Sequence, residues 1–108
     1  MSKAGKSSKS RRKKTVRARL QLPDILDLTA AAPLAQSLLA HRGGELSVDA
    51  SSVRRIGAQC LQVLLAAAAT WKADGVKLYL REPTEEFLEG ARLLGIQLDR
   101  DLAGSEPV

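Results

Sequence analysis

Residues 46–65 read LSVDASSVRRIGAQCLQVLL and join a short alternating segment to a long apolar one through a polar loop. Leu46 and Val48 alternate with polar neighbours, which predicts a strand over residues 45–49. Residues 58–73 carry apolar side chains on more than one face, which predicts a buried central helix. The loop 50–56 therefore joins a strand end to a helix start, and loops held by such a scaffold often carry binding residues.

The same alternation predicts three more strands, over residues 15–22, 25–28 and 76–80. We expect residues 25–28 to return beside the first strand after the break at Pro23. The resulting order is β-β-α-β-α-β-α. Strands that alternate with helices of this length predict an α/β fold with a mainly parallel sheet of four to five strands and packed helices.

Two further helices flank the central one in sequence. The first is predicted to begin with Thr29 as its cap and to stop at Gly43. The last is predicted to begin at Pro83-Thr84 and to stop at Gly95. The positions expected to be buried are Ala31, Leu34, Ala35, Leu38 and Leu39 on the first helix and Phe87, Leu88, Ala91 and Leu94 on the last.

The composition limits the class of protein. A chain of 108 residues with 44% hydrophobic residues accommodates one domain. A single cysteine and a single histidine cannot form an internal disulfide or a Cys/His metal cluster, so we expect no metal or cofactor and a cytoplasmic location. The longest apolar run, residues 63–69, is far shorter than the roughly 20 residues that span a bilayer.

The charge divides the chain into a tail and a domain. Residues 1–14 carry seven of the 17 basic residues and no acid, so the rest of the chain has a net charge of −2. A tail this polar is predicted to be disordered. It can attract nucleic acid, anionic lipid or an acidic protein, but without aromatic residues it has no means of specific nucleic-acid recognition, and we interpret it as a solubilising extension. Residues 103–108 are predicted to be a frayed end.

Residues 15–102 resemble the STAS domain, the fold of bacterial anti-sigma factor antagonists. The resemblance is carried by Asp49-Ala50-Ser51, Val53, Ile56 and Leu61, which match the family pattern D-x-S-x-V-x-x-I-D-S-S-G-L. The resemblance implies a phosphoacceptor Ser or Thr at the start of the central helix, where backbone N–H groups favour a phosphate.

The chain departs from that pattern at the switch itself. Gly57 occupies the position of the family's aspartate, Ala58 and Gln59 occupy the two hydroxyl positions, and Cys60 replaces the glycine. Ala58 and Gln59 cannot be phosphorylated. We therefore interpret the protein as fixed in the unphosphorylated form, with the Gln59 amide available to a partner and to cap the helix.

Several nearby side chains have two interpretations. Ser51 or Ser52 can replace the missing phosphoacceptor, although loop serines more often bond to the backbone. Asp49 can act as a base or bind a cation, or it can simply fix the loop. Cys60 can be a reactive thiol at a helix start, or a small buried side chain. Because no nucleophile with a base, metal set or phosphate-binding loop is present, we expect no enzymatic activity.

The remaining function is protein binding. The resemblance implies a histidine kinase or an anti-sigma factor-like partner, and chemotaxis-associated STAS proteins also suggest a response regulator. The alternative is an accessory STAS subunit of an ABC-type lipid transporter. We expect contact through one surface, here called the rim, together with the exposed side of the central helix. The rim consists of Asp49, Ser51, Ser52, Arg54, Arg55, Gly57, Ala58 and Gln59.

Overall fold

The computed structural model describes residues 18–97 of the chain. The predicted basic tail (1–14), the predicted frayed end (103–108) and both ends of the predicted domain (15–102) lie outside these residues. In chain order the elements are β1 (Ala18–Gln21), β2 (Ile25–Leu26), a 3-10 helix (Leu28–Ala30), α1 (Ala31–Ala40), β3 (Leu46–Asp49), β4 (Arg55–Ile56), α2 (Ala58–Asp74), β5 (Leu78–Arg81) and α3 (Glu85–Leu93).

A three-stranded parallel sheet forms the centre of the domain. Its order is β1-β3-β5, and its register places Val48 between Leu20 and Leu80. Parallel neighbours require crossover connections, which α1 and α2 supply. The predicted α/β class with a mainly parallel sheet and packed helices is therefore confirmed. The described strands are divided between this sheet and a separate two-stranded one.

The second strand differs from the prediction. Residues 25–28 do not return beside β1, because β2 pairs in parallel with β4 inside the polar loop. The backbone explains the difference: the Asp24 carbonyl accepts hydrogen bonds from the N–H groups of Arg54 and Arg55, at 2.8 and 3.1 Å. These bonds hold the chain after Pro23 against the loop rather than against the first strand.

The start of the first helix also differs. Thr29 is not its cap: Asp27 accepts a hydrogen bond of 3.1 Å from the Thr29 N–H and so caps a 3-10 turn that precedes α1. The N-cap residue of α1 itself is Ala30. Leu34 and Leu38 are buried as predicted, but Leu39 is 61% exposed, so the buried stripe is narrower than its apolar sequence indicates.

The central helix α2 begins at Ala58 as predicted and buries residues along most of its length. Its largest core side chain, Trp71, is 1% exposed and donates a hydrogen bond of 2.8 Å from Nε1 to the Gly44 carbonyl. The helix ends where Gly75 adopts a φ of 74°. The Val76 N–H then donates a hydrogen bond of 3.1 Å to the Trp71 carbonyl. Because this bond holds Val76 at the end of the helix, β5 begins at Leu78 and not at residue 76 as predicted.

The last helix packs one face on the core. Thr84 caps α3 by accepting from the Phe87 N–H, and Phe87 and Ala91 are buried. Leu88 and Leu94 were expected in the core, but they are 41% and 48% exposed. A short helix at the edge of a small domain buries only a narrow stripe, so these leucines face outward.

Candidate partner-binding site

The rim begins at the carboxyl end of the middle strand. Asp49 is the last residue of β3, and its Oδ1 accepts a hydrogen bond of 2.8 Å from the Ser51 N–H. Hydrogen bonds from the Ser51 hydroxyl and its N–H lower the pKa of Asp49. The carboxylate therefore fixes the turn into the loop, and its lowered pKa makes it a poor general base at neutral pH.

The two loop serines are exposed and lie at the same sheet edge. Ser52 Oγ accepts a hydrogen bond of 2.9 Å from Gln21 Nε2 at the end of β1. Between the serines and β4, Val53 is fully buried, as is Ala50 before them. Exposed polar residues thus interleave with buried apolar ones, and the buried residues anchor the loop.

Arg54 and Arg55 extend from the outer part of the loop. Their backbone N–H groups are held by the Asp24 carbonyl, whereas their side chains are exposed. Among residues 18–97, no salt bridge joins either guanidinium to an acidic side chain. The backbone of these two residues is therefore held in place, while their cationic side chains are exposed to solvent at the rim.

The start of α2 carries no side-chain cap. The N-cap residue is Gly57, whose N–H donates a hydrogen bond of 2.9 Å to the Leu26 carbonyl. The expected capping by Gln59 is wrong within the described residues, since none of the side-chain hydrogen bonds involves it. Ala58 and Gln59 are both exposed. The position at which the resemblance implies a phosphoacceptor is thus open to solvent and carries no hydroxyl.

Cys60 is a buried structural residue. Its side chain is 0% exposed, and Sγ donates to the Asp27 carbonyl at 3.3 Å. Burial and the nearby negative charge of Asp27 raise the pKa of the thiol. Of the two interpretations of this cysteine, the structure supports the small buried side chain, because a nucleophilic cysteine needs a lowered pKa and access.

A shallow groove of about 810 Å³ runs between the loop and α3. Arg54 and Arg55 line one side, and Glu85, Glu86 and Glu89 contribute to the other. The groove therefore presents both signs of charge, with Arg54 and Arg55 on the side of the rim and Arg92 among the glutamates on the side of α3.

Thr84 and Gly90, which lie outside the rim, bring α3 close to the loop. Neither contact was predicted from the sequence. The Thr84 hydroxyl donates a hydrogen bond of 2.6 Å to the Val53 carbonyl in the loop. Gly90 allows α3 to approach β4, because a Cβ there would lie 2.8 Å from Ile56 Cγ2. The only sequence signal was Thr84 as a helix start, which does not indicate a contact with a loop about 30 residues earlier.

Within residues 18–97, no group of three or more His, Cys, Asp or Glu side chains is placed to hold a metal ion. No helix of the described part of the chain is long and apolar enough to cross a bilayer. His41, at the end of α1, donates a hydrogen bond of 2.9 Å from Nδ1 to the Ser37 carbonyl. It therefore supplies a donor to one of the last carbonyl groups of the helix.

The parallel sheet, its crossover helices and the loop that joins β3 to α2 define a small α/β domain of the STAS type. The family model described as "Mlab, STAS domain" matches residues 10–100, which is most of the chain. The chain belongs to the STAS domain family. No curated protein and no solved structure matches it.

Proposed function

We propose that this chain is a non-catalytic, cytoplasmic STAS-domain regulator that acts by binding a partner protein through the rim. The observation that carries the proposal is the exposure pattern of the loop. Six of the eight rim residues are exposed, whereas Ala50, Val53 and Cys60, which interleave with them, are fully buried. Because the loop backbone is already fixed in this way, binding through its polar side chains costs little backbone entropy.

The electrostatics of the rim favour an acidic or hydrogen-bond-accepting partner surface. Arg54 and Arg55 are exposed cations, and the N-terminus of α2, which adds a partial positive charge, has no side-chain cap. The Gln59 amide supplies a neutral donor and acceptor beside them. Such a surface attracts a complementary negative patch and sets its orientation.

A non-catalytic role is supported by two side chains of the site that have structural roles. Asp49 uses its carboxylate to fix the loop, and Cys60 is buried with a raised pKa. With no hydroxyl at positions 58 and 59, the partner-binding state is not switched by phosphate at those positions. Regulation then depends on the amount of protein and on the state of its partner.

The proposed partner is a histidine kinase or an anti-sigma factor-like protein of a bacterial signalling system, such as a chemotaxis kinase. The test is affinity capture from the native cell with the full chain, followed by identification of the captured proteins by mass spectrometry. The R54E/R55E/Q59A variant should lose the partner. A K72E/K77E variant, which changes two exposed cations away from the rim, should retain it.

The outcomes separate the candidates. A captured kinase that is lost only with the rim variant supports the proposal. An ABC-transporter ATPase captured in its place would establish the alternative, an accessory subunit of a lipid transporter. Equal capture by both variants would show that the rim is not the contact surface. Stoichiometric phosphate on Ser51 or Ser52 in protein purified from cells would contradict the phosphorylation-independent mode.

A further inference from the structure

Exposed apolar side chains gather beside the rim. Among residues 18–97, the large apolar side chains that are exposed are Ile25, Leu28, Leu39, Leu88, Leu93 and Leu94. Ile25 is the pairing partner of Arg55 between β2 and β4. Leu28 follows Asp27, whose carbonyl accepts a hydrogen bond from Cys60 in the first turn of α2. Leu88 and Leu93 line the groove that the arginine pair of the rim also lines. Four of the six therefore lie beside rim residues.

The segment that carries Ile25 and Leu28 is held against the rim by its backbone. The Asp24 carbonyl accepts the hydrogen bonds of the arginine pair, and the Leu26 carbonyl accepts one of 2.9 Å from the Gly57 N–H. Leu26 is fully buried, whereas Ile25 is 38% and Leu28 is 68% exposed. The two exposed side chains are therefore attached to a fixed backbone that contacts the rim. We call Ile25 and Leu28 the apolar patch.

We propose that the apolar patch is part of the partner-binding surface, and that the partner presents an apolar pocket to Leu28 beside acidic side chains that meet Arg54 and Arg55. The patch has this role only if the rim binds a protein, so it rests on the proposed function. It adds to that function the chemistry of the partner's contact surface.

The energetics of the rim require an apolar contribution. Exposed ion pairs add little to affinity and are screened by salt, so the two arginines alone give a weak contact. Removal of apolar surface from water supplies most of the free energy of association. Protein interfaces accordingly combine an apolar centre with a polar periphery. Leu28, with about two thirds of its side chain in solvent, provides apolar surface where the rim lacks it.

The charges around the patch favour a protein as the occupant. Within the part of the chain that the structure describes, neither Arg54 nor Arg55 forms a salt bridge. Asp24 and Asp27, however, are exposed on the same segment as the patch. A nucleic acid or an anionic membrane would bring its phosphates close to these two carboxylates. A protein can place acidic side chains opposite the arginines and neutral ones opposite the patch.

Titration with the purified partner tests the contribution of Leu28. The protein captured in the experiment above is identified by mass spectrometry, purified and titrated with the full chain by calorimetry. Leu28→Ala should weaken binding at least tenfold, which corresponds to about 1.4 kcal/mol. Ile25→Ala should weaken it less, because less of Ile25 is exposed. Circular dichroism should show that both variants are folded.

Leu39→Ala is the matched control, since Leu39 is also a leucine and is 61% exposed. It lies near the end of α1, before β3 begins, whereas the rim starts where β3 ends. This variant should bind the partner like the wild type. An equal loss in Leu28→Ala and Leu39→Ala would overturn the proposal, because the effect would not be specific to the patch.

Photo-cross-linking tests the contact itself. The full chain with p-benzoylphenylalanine at position 28 should cross-link to the captured partner in cells, and the same chain with the probe at position 39 should not. Adding R54E/R55E/Q59A to the chain with the probe at position 28 should abolish the cross-link. A cross-link that persists in this variant would show that position 28 contacts the protein independently of the rim, and would overturn the shared surface.

Failure of the patch and failure of the proposed function give different results. A partner that is lost with R54E/R55E/Q59A but binds Leu28→Ala as tightly as the wild type overturns the role of the patch and leaves the proposed function intact. If no protein binds in a way that depends on the rim, the proposed function fails, and the role of the patch fails with it.

Discussion

The hydroxyl of Thr84 donates a hydrogen bond of 2.6 Å to the Val53 carbonyl and accepts one of 3.1 Å from the Phe87 N–H. One side chain therefore caps α3 and holds the backbone of the loop that carries the rim. Because Val53 lies between Ser52 and Arg54, the position of α3 and the arrangement of the rim depend on each other.

Thr84→Val tests this link, since valine keeps the shape of the side chain and removes both hydrogen bonds. We expect a loss of about 2 kcal/mol in the free energy of unfolding, from a lost helix cap and a carbonyl left without its donor. Urea denaturation followed by circular dichroism measures it. Thr84→Ser keeps the hydroxyl and should lose less than half as much. Equal losses in the two variants would show that the hydroxyl bonds do not stabilise the domain.

Gly90→Ala should destabilise the domain even though alanine is the better helix former by about 1 kcal/mol. The added Cβ would lie 2.8 Å from Ile56 Cγ2, and a β-branched side chain has little freedom to move away. Thermal unfolding should show a lower midpoint for Gly90→Ala. Gly44→Ala is the control, since a Cβ at Gly44 meets nothing within 4 Å.

A double-mutant cycle identifies the cause of that loss. In an Ile56→Leu background the atom that Gly90→Ala would meet is absent, because leucine is not branched at Cβ. The cost of Gly90→Ala should then be smaller than in the wild-type background. If the cost is the same in both backgrounds, the contact with Ile56 does not explain the effect.

The sequence predicted those features that depend on local pattern. The period of two at Leu46 and Val48 and the two-faced apolar run after Ala58 identified β3 and the start of α2, and the fold class followed. The pairing of β2 with β4 could not be predicted in this way, because it depends on where the Asp24 carbonyl finds donors more than 25 residues later. Tertiary hydrogen bonds of this kind leave no periodic signal.

Within the candidate site, the chemistry of single residues was easier to predict than their contacts. The missing hydroxyl at Ala58 and Gln59 is evident from the residue types alone. The burial of Cys60 followed from its apolar neighbours, whereas its bond to the Asp27 carbonyl did not. The roles of Thr84 and Gly90 depend on the distance between α3 and the loop, which only the folded chain defines.

We expect the stability that the Asp49 carboxylate adds to the domain to be lost in acid. Hydrogen bonds from Ser51 lower its pKa in the folded state, below the value of about 3.9 for an unfolded chain. The carboxylate therefore adds stability above that value, and the contribution disappears as the pH falls through the folded-state pKa. Because the side chain is only partly buried, we expect less than about 1 kcal/mol.

Urea unfolding of wild type and Asp49→Asn between pH 7 and pH 2.5 measures this contribution. The difference in stability between the two proteins should shrink as the pH falls below 4. Ser51→Ala removes one donor, so the acid-induced loss should be smaller than in the wild type. Parallel pH profiles for wild type and Asp49→Asn would show that the hydrogen bonds from Ser51 add no pH-dependent stability.

Cys60 should react slowly with thiol reagents in the folded protein. Its thiol is fully buried, and burial together with the charge of Asp27 raises its pKa, so the reactive thiolate is scarce at neutral pH. Reaction with a disulfide reagent at pH 7, followed by absorbance, should be at least about a hundredfold slower than in urea, because the reagent must wait for the helix start to open. Gln62→Cys in a Cys60→Ala background places the thiol on the exposed side of the same helix and should react at the rate of the unfolded chain within about tenfold. Fast reaction of Cys60 in the folded wild type would instead identify an accessible thiol and would contradict its role as a buried packing residue.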